Sequence, residues 1–102
     1  MNLSIIISTY NNAESLIRTL ESVVAQDADH SLWECIVVNN ASTDNTAERF
    51  SAFAESHSSV NLRMVNESQQ GLSYARNRGI AESKGYTIAI PYELIRRAGL
   101  SK

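Results

Sequence analysis

Two short polar stretches carry the side chains in this chain that could meet a ligand. The first is Ser8-Thr9-Tyr10-Asn11-Asn12, and the second is Asn39-Asn40-Ala41-Ser42-Thr43-Asp44-Asn45. Tyr10 offers a flat face on which a nucleobase can stack, a contact worth roughly 1–3 kcal/mol in comparable settings. As scaffold, it would be a half-buried aromatic closing the top of a core. The Asn40 amide can accept from and donate to the edge of a base such as uracil, or it can simply turn the chain. Further on, Arg76 has the charge and the fork geometry to meet a diphosphate, although a solvated helix arginine is the commoner use of such a residue.

Each polar stretch needs an element to hold it, and the flanking residues supply one. Leu3 and Ile5-Ile6-Ile7 make a β-branched apolar run ahead of the first loop, and Cys35-Ile36-Val37-Val38 does the same ahead of the second. Runs of that kind suit parallel strands covered on both faces. After the first loop, Asn11 is placed to cap a helix, with Glu14 completing a capping-box-like pair. Leu16, Ile17, Leu20, Val23 and Val24 then recur at helical spacing, which predicts an amphipathic helix ending near Gln26. The second loop leads into a helix with Ala47, Phe50, Phe53 and Ala54 on one stripe. Its cap is expected among residues 43–45, with Glu48 answering Asn45. If the two strands are parallel neighbours, both loops open at one edge of the sheet, where strand ends and helix N–H groups form a crevice.

The rest of the chain extends the alternation. Val60, Leu62 and Met64 alternate with Asn61 and Arg63, as expected of a strand with one solvated face at a sheet edge. A third helix is expected over residues 72–83, with Leu72, Ala75, Gly79 and Ile80 as its inner stripe and Gly85 ending it. Gly79 costs helix stability, roughly 1 kcal/mol against alanine, and is explained by a close approach of helix to sheet. Residues 86–90 read as a fourth strand, stopped by Pro91. The order β-α-β-α-β-α-β with right-handed crossovers gives an α/β fold: Rossmann-like, three-layer α/β/α, with a mostly parallel four-stranded sheet of order 3-2-1-4.

Other chemistries are excluded by what the loops lack. No glycine precedes Gly71, so the first strand–helix turn is not a glycine-rich dinucleotide turn. No carboxylate ends the first strand, which rules against a phosphoacceptor of the response-regulator type. Asp27-Ala28-Asp29-His30 has metal-ligating types, but its helix-to-strand position puts it at the opposite edge from the two loops, as a solvated connection. A net charge of −2 and a pI near 5.6 provide no basic field for nucleic acid. No apolar stretch is long enough for a membrane span. The single cysteine, Cys35, excludes an internal disulfide and fits a buried small hydrophobe in a cytoplasmic protein.

Three blocks resemble the N-terminal half of family 2 glycosyltransferases, which have the GT-A fold. Ser4-Ile5-Ile6-Ile7-Ser8-Thr9-Tyr10-Asn11 is similar to the family's first strand and base-contacting loop. Val37-Val38-Asn39-Asn40-Ala41-Ser42-Thr43-Asp44 is similar to its second-strand motif, usually written with one or two aspartates where Asn39 and Asn40 stand. Gln70-Gly71-Leu72-Ser73-Tyr74-Ala75-Arg76-Asn77-Arg78-Gly79-Ile80 matches a third block. The resemblance implies transfer of a sugar from a nucleotide donor, most often a UDP-sugar, to an acceptor the sequence does not name. It implies that Thr9, Tyr10 and Asn40 hold the base and ribose, with Asn11 and Arg76 also on the nucleotide.

The departure lies at the end. The family's fourth strand leads into an Asp-x-Asp motif for Mg²⁺ or Mn²⁺, whereas here Pro91-Tyr92-Glu93-Leu94 follows and no aspartate comes after Asp44. The expectation is therefore a nucleotide-sugar-binding half of a GT-A domain over residues 1–91, and a tail over residues 92–102 of the kind a truncation leaves. No catalytic or metal-ligating residue is assigned in the chain. It is expected to lack transferase activity alone and to self-associate through surface that a second half would cover. The alternative is a non-catalytic α/β module that binds a nucleotide or a protein.

Overall fold

The computed structural model describes residues 3–25 and 33–89. Strand β1 (Leu3–Thr9) pairs on one side with β2 (Trp33–Asn39) and on the other with β4 (Tyr86–Ala89), and β3 (Leu62–Asn66) lies outside β2. All these pairings are parallel and give the order β3-β2-β1-β4. The register aligns Ile5, Cys35 and Leu62 in one row, and Thr9, Asn39 and Asn66 in another at the carboxyl edge. Both loops with candidate chemistry therefore leave the sheet at that edge.

Because strand side chains alternate between faces, the sheet sorts its apolar residues into two cores. Ile7, Cys35 and Val37 pack with Leu16, Leu20 and Val23 of α1 (Ala13–Val24) and with Phe50 and Phe53 of α2 (Thr46–Ser56). On the other face Ile6, Ile36 and Val38 meet Ala75 of α3 (Leu72–Glu82). Helices on both faces cover β2 completely, and all seven of its residues are buried. Strand β3 lies at the edge, but the solvated face expected from its alternation is absent: residues 62–65 are all partly buried, Leu62 and Met64 against one core and Val65 against the other. Cys35 is fully buried, and burial, followed by the charge of Glu34, pushes its thiol up to about 12.

Gly79 is where α3 touches the sheet. A Cβ built there would lie 2.3 Å from Cγ2 of Ile6, so the helix can sit this close only without a side chain. The inner stripe expected on α3 is corrected in part. Ala75 and Gly79 face the sheet, but Leu72 and Ile80 are 49% and 50% exposed. The close approach explains this: with the axis drawn in at Gly79, small residues alone fit beneath the helix, and the larger ones point outward.

Several boundaries also move. Asn12, not Asn11, caps α1, its Oδ1 accepting from the Ser15 N–H at 3.3 Å. Asn11 is drawn away to the neighbouring loop. Ala47 is exposed on α2 and Thr46 takes the buried position. Strand β2 begins two residues before Cys35 because Trp33 and Glu34 pair with Leu3 and Ser4. Val60 is buried but precedes β3. Helix α3 ends at Glu82, and Ser83, in an extended conformation, is its C-cap in place of a turn at Gly85. The 27–31 connection, Gln26, Pro91, Glu93 and the 92–102 tail lie outside the described residues.

Glu34, a charged residue inside a fully buried strand, is 1% exposed. It accepts from Ser4 Oγ at 2.6 Å and from the Lys84 N–H at 2.8 Å, and Arg63 Nη2 stands 3.5 Å away. Ser4 Oγ in turn accepts from the Gly85 N–H at 3.0 Å. Arg63 also reaches the carboxylate and the main-chain oxygen of Glu82. This network ties the end of α3 and the start of β4 to the amino-terminal edge of the sheet, far from the polar loops. Burial raises the Glu34 carboxyl, but Ser4, the Lys84 N–H and Arg63 outweigh it and hold it below its ordinary value. No helix among the described residues is long and apolar enough to cross a membrane.

Candidate functional site

Three loops meet at the carboxyl edge of the sheet, and asparagines stitch them together. Asn11 adopts a positive φ of 47°, a conformation its short polar side chain tolerates better than most. Its N–H donates to Ser42 Oγ at 3.0 Å, and its Oδ1 accepts from the Thr43 N–H at 2.7 Å. The loop after β1 is thereby fastened to the loop after β2. Asn39 Oδ1 accepts from the Ser42 N–H at 3.1 Å, closing a tight turn in which Ala41 takes φ 66°.

Asn40 performs the third join. Its N–H donates to the Thr9 oxygen at 2.9 Å. Its Nδ2 donates to the main-chain oxygens of Glu67 at 3.2 Å and Gln69 at 2.8 Å, and its Oδ1 accepts from the Gly71 N–H at 2.9 Å. Both amide donors and one of two acceptor positions are engaged by the loop between β3 and α3. The side chain expected to read a base edge is buried, with its donors turned into the protein.

The cleft beside this junction has a volume of about 140 Å³ and runs from the end of β1 along the first turns of α1. Thr9 and Tyr10 line it together with Ser8, Asn12, Ser15 and Thr19. Thr9 is buried, whereas Tyr10 is 51% exposed, with ring surface available to a ligand. Ser15 and Thr19 were not among the residues singled out by sequence. Their spacing from Asn12 puts them on one helix face, and that pattern alone could have found them. The Thr19 hydroxyl is buried without a hydrogen-bond partner among the described residues.

Arg76 lies in the second turn of α3, exposed and without an ion pair or hydrogen bond among the described residues. The helix it sits on starts at Gly71, whose φ of 136° suits glycine, and no side chain caps it. By contrast, α1 is capped by Asn12; Asn45, the N-cap of α2, makes no side-chain capping bond, while Asp44 accepts from both the N–H and the hydroxyl of Thr46. The Thr46 hydroxyl foremost holds the Asp44 carboxyl below the usual carboxylate range.

Asp44 is the only aspartate among the described residues and its carboxylate is already engaged by Thr46. No three His, Cys, Asp or Glu side chains cluster among those residues. A divalent cation wants several oxygen ligands, carboxylates foremost, and the described residues do not fit one.

A family model, glycosyl transferase family 2, matches residues 4–91, which include every loop of the junction. The chain belongs to glycosyltransferase family 2. It is 36% identical over 86 residues to glycosyltransferase AglE of Haloferax volcanii, covering 84% of this chain and 28% of that protein. It is likewise 36% identical over 87 residues to the glycosyltransferase YibD of Escherichia coli K12, covering 85% of this chain and 24% of that one. Among solved structures, the mannosyltransferase PcManGT of Pyrobaculum calidifontis, in complex with GDP-Man and Mn²⁺, superposes with a TM-score of 0.85 at 28% identity. That match covers 90% of this chain and 27% of the mannosyltransferase. The chain thus spans about a quarter of the length of these proteins. With the mannosyltransferase it shares the parallel α/β architecture of the GT-A fold.

Proposed function

We propose that this chain is the nucleotide-binding half of a glycosyltransferase that takes its sugar from a nucleotide donor, a UDP-sugar foremost. The observation that carries the reading is the half-exposed Tyr10 ring at the mouth of a hydroxyl-lined cleft, at the edge where all three stitched loops meet. Tyr10 stacks the base, Thr9 and Asn11 shape the loop beneath it, Asn40 holds the junction, and Arg76 meets the diphosphate. Family membership supports the donor class, and the mannosyltransferase with bound GDP-Man makes guanine the competing base. Residues 1–91 constitute the binding half, and the protein works in the cytoplasm. The divalent cation of a complete enzyme is not held by the described residues, and no catalytic step is assigned to them.

The test is chemical-shift mapping of the labelled chain with UDP and, separately, GDP. UDP should perturb residues 9–12, 40–43 and 71–76. Tyr10→Ala should weaken binding about 5- to 150-fold, the worth of one base–aromatic stack. Perturbations away from the carboxyl edge, or tighter binding of GDP, would overturn the location or the base respectively.

A further inference from the structure

From the three bonds its side chain makes, we infer that Asn40 is a positioning residue: it clamps the 67–71 loop, and with it the start of α3 and Arg76, without reading the nucleobase. The inference rests on the proposed nucleotide site and assigns a role within it. An amide here meets two carbonyl oxygens, from Glu67 and Gln69, and one N–H, from Gly71. That demand fits asparagine, which has two donors on one side and an acceptor on the other. A carboxylate at this position could accept from Gly71 but would face two carbonyl oxygens with no proton to offer.

The clamp sits where it controls α3. Gly71 is the residue from which α3 starts, and Ala75 N–H donates back to its oxygen at 3.1 Å. The loop has a second tie to β2, the Glu67 N–H donating to the Asn39 oxygen at 3.0 Å. Within the loop, Gln69 N–H donates to the Glu67 carboxylate at 3.0 Å. The Gln69 and Gly71 ends, in contrast, are held to β2 through the Asn40 side chain. Arg76 follows one turn later on the same helix, so releasing the loop shifts the cation while leaving Tyr10 in place.

Asn40→Ala removes the acceptor for Gly71 together with both donors. In the 102-residue chain it should speed amide exchange of Gly71 and Leu72 by tenfold or more, with exchange in β1 unchanged. UDP affinity should fall about tenfold. In an Arg76→Ala background the same change should cost less than threefold, because the residue it positions is gone. Equal losses in the two backgrounds would overturn the inference and make Asn40 a direct base contact. Unchanged exchange at Gly71 would also overturn it. If Asn40→Ala does not fold, Asn40→Ser, too short to span all three bonds, carries the same comparison. Failure of the unaltered chain to bind UDP or GDP would overturn the nucleotide site itself and with it the link from Asn40 to Arg76. That failure differs from failure of the clamp, which the exchange of Gly71 decides separately.

Discussion

Gly79 of α3 and Ile6 of β1 meet so closely that a methyl on the glycine would lie 2.3 Å from the isoleucine Cγ2. Both residues are buried, and Ile6 belongs to the small core between α3 and the sheet. Gly79→Ala should destabilise the chain by about 1–3 kcal/mol, since the overpacking cost exceeds the gain of about 1 kcal/mol in helix propensity. Urea unfolding would show it as a lower midpoint. In an Ile6→Ala background the cost should shrink or change sign, and an undiminished cost would mean that the contact is not its source.

Glu34 should make the fold acid-sensitive. Its carboxyl lies below the ordinary glutamate range in the folded protein, so its contribution is complete above that range. It is then lost as pH falls through the lower folded value. Urea midpoints measured from pH 7 downward should hold until about 4.5 and then decline. Glu34→Gln should lower stability at pH 7 by about 1–3 kcal/mol, the range for a hydrogen bond to a charged group that is lost or left unpaired. It should also flatten the acid limb; an identical acid limb in that variant would place the sensitivity elsewhere.

The two non-glycine residues at positive φ among the described residues should respond oppositely to glycine. Ala41, at φ 66°, makes no side-chain bond, so Ala41→Gly should be neutral or stabilising by up to about 1 kcal/mol. Asn11→Gly relieves the backbone at φ 47° but removes the acceptor for Thr43, and should lose about 0.5–1.5 kcal/mol. Asn11→Ala should be worse than Asn11→Gly. Thermal melts of the three variants test the ranking.

Divalent cations should do little for this chain. Asp44 is engaged by Thr46, and no cluster of ligating side chains exists among the described residues. Calorimetric titration of UDP with and without Mn²⁺ should give dissociation constants within about threefold of each other, because one or two scattered carboxylates seldom dehydrate such an ion. A large gain with Mn²⁺ would assign ligands to residues outside 3–25 and 33–89.

The strand and helix types, the parallel α/β class and the family were determined by the sequence itself. Local pattern suffices for these: β-branched runs at residues 5–7 and 35–38, helical spacing from Leu16 to Val23, and motifs contiguous in the chain. Gly79 was legible too, because a glycine in a helix signals a close neighbour. What only the tertiary structure decided was the work of side chains whose partners are distant in sequence. Asn40 looked free to read a base and is instead bonded to residues 67, 69 and 71. Glu34 drew no notice ahead of the Cys35–Val38 run, and its partners Ser4, Arg63 and Lys84 come from three other segments. Leu72 and Ile80 fitted an inner stripe by spacing alone, but the depth of Gly79 against Ile6 turned them outward. Periodicity is a property of one segment, whereas a hydrogen-bond partner or the rotation of a helix on a sheet is fixed by the segments brought against it.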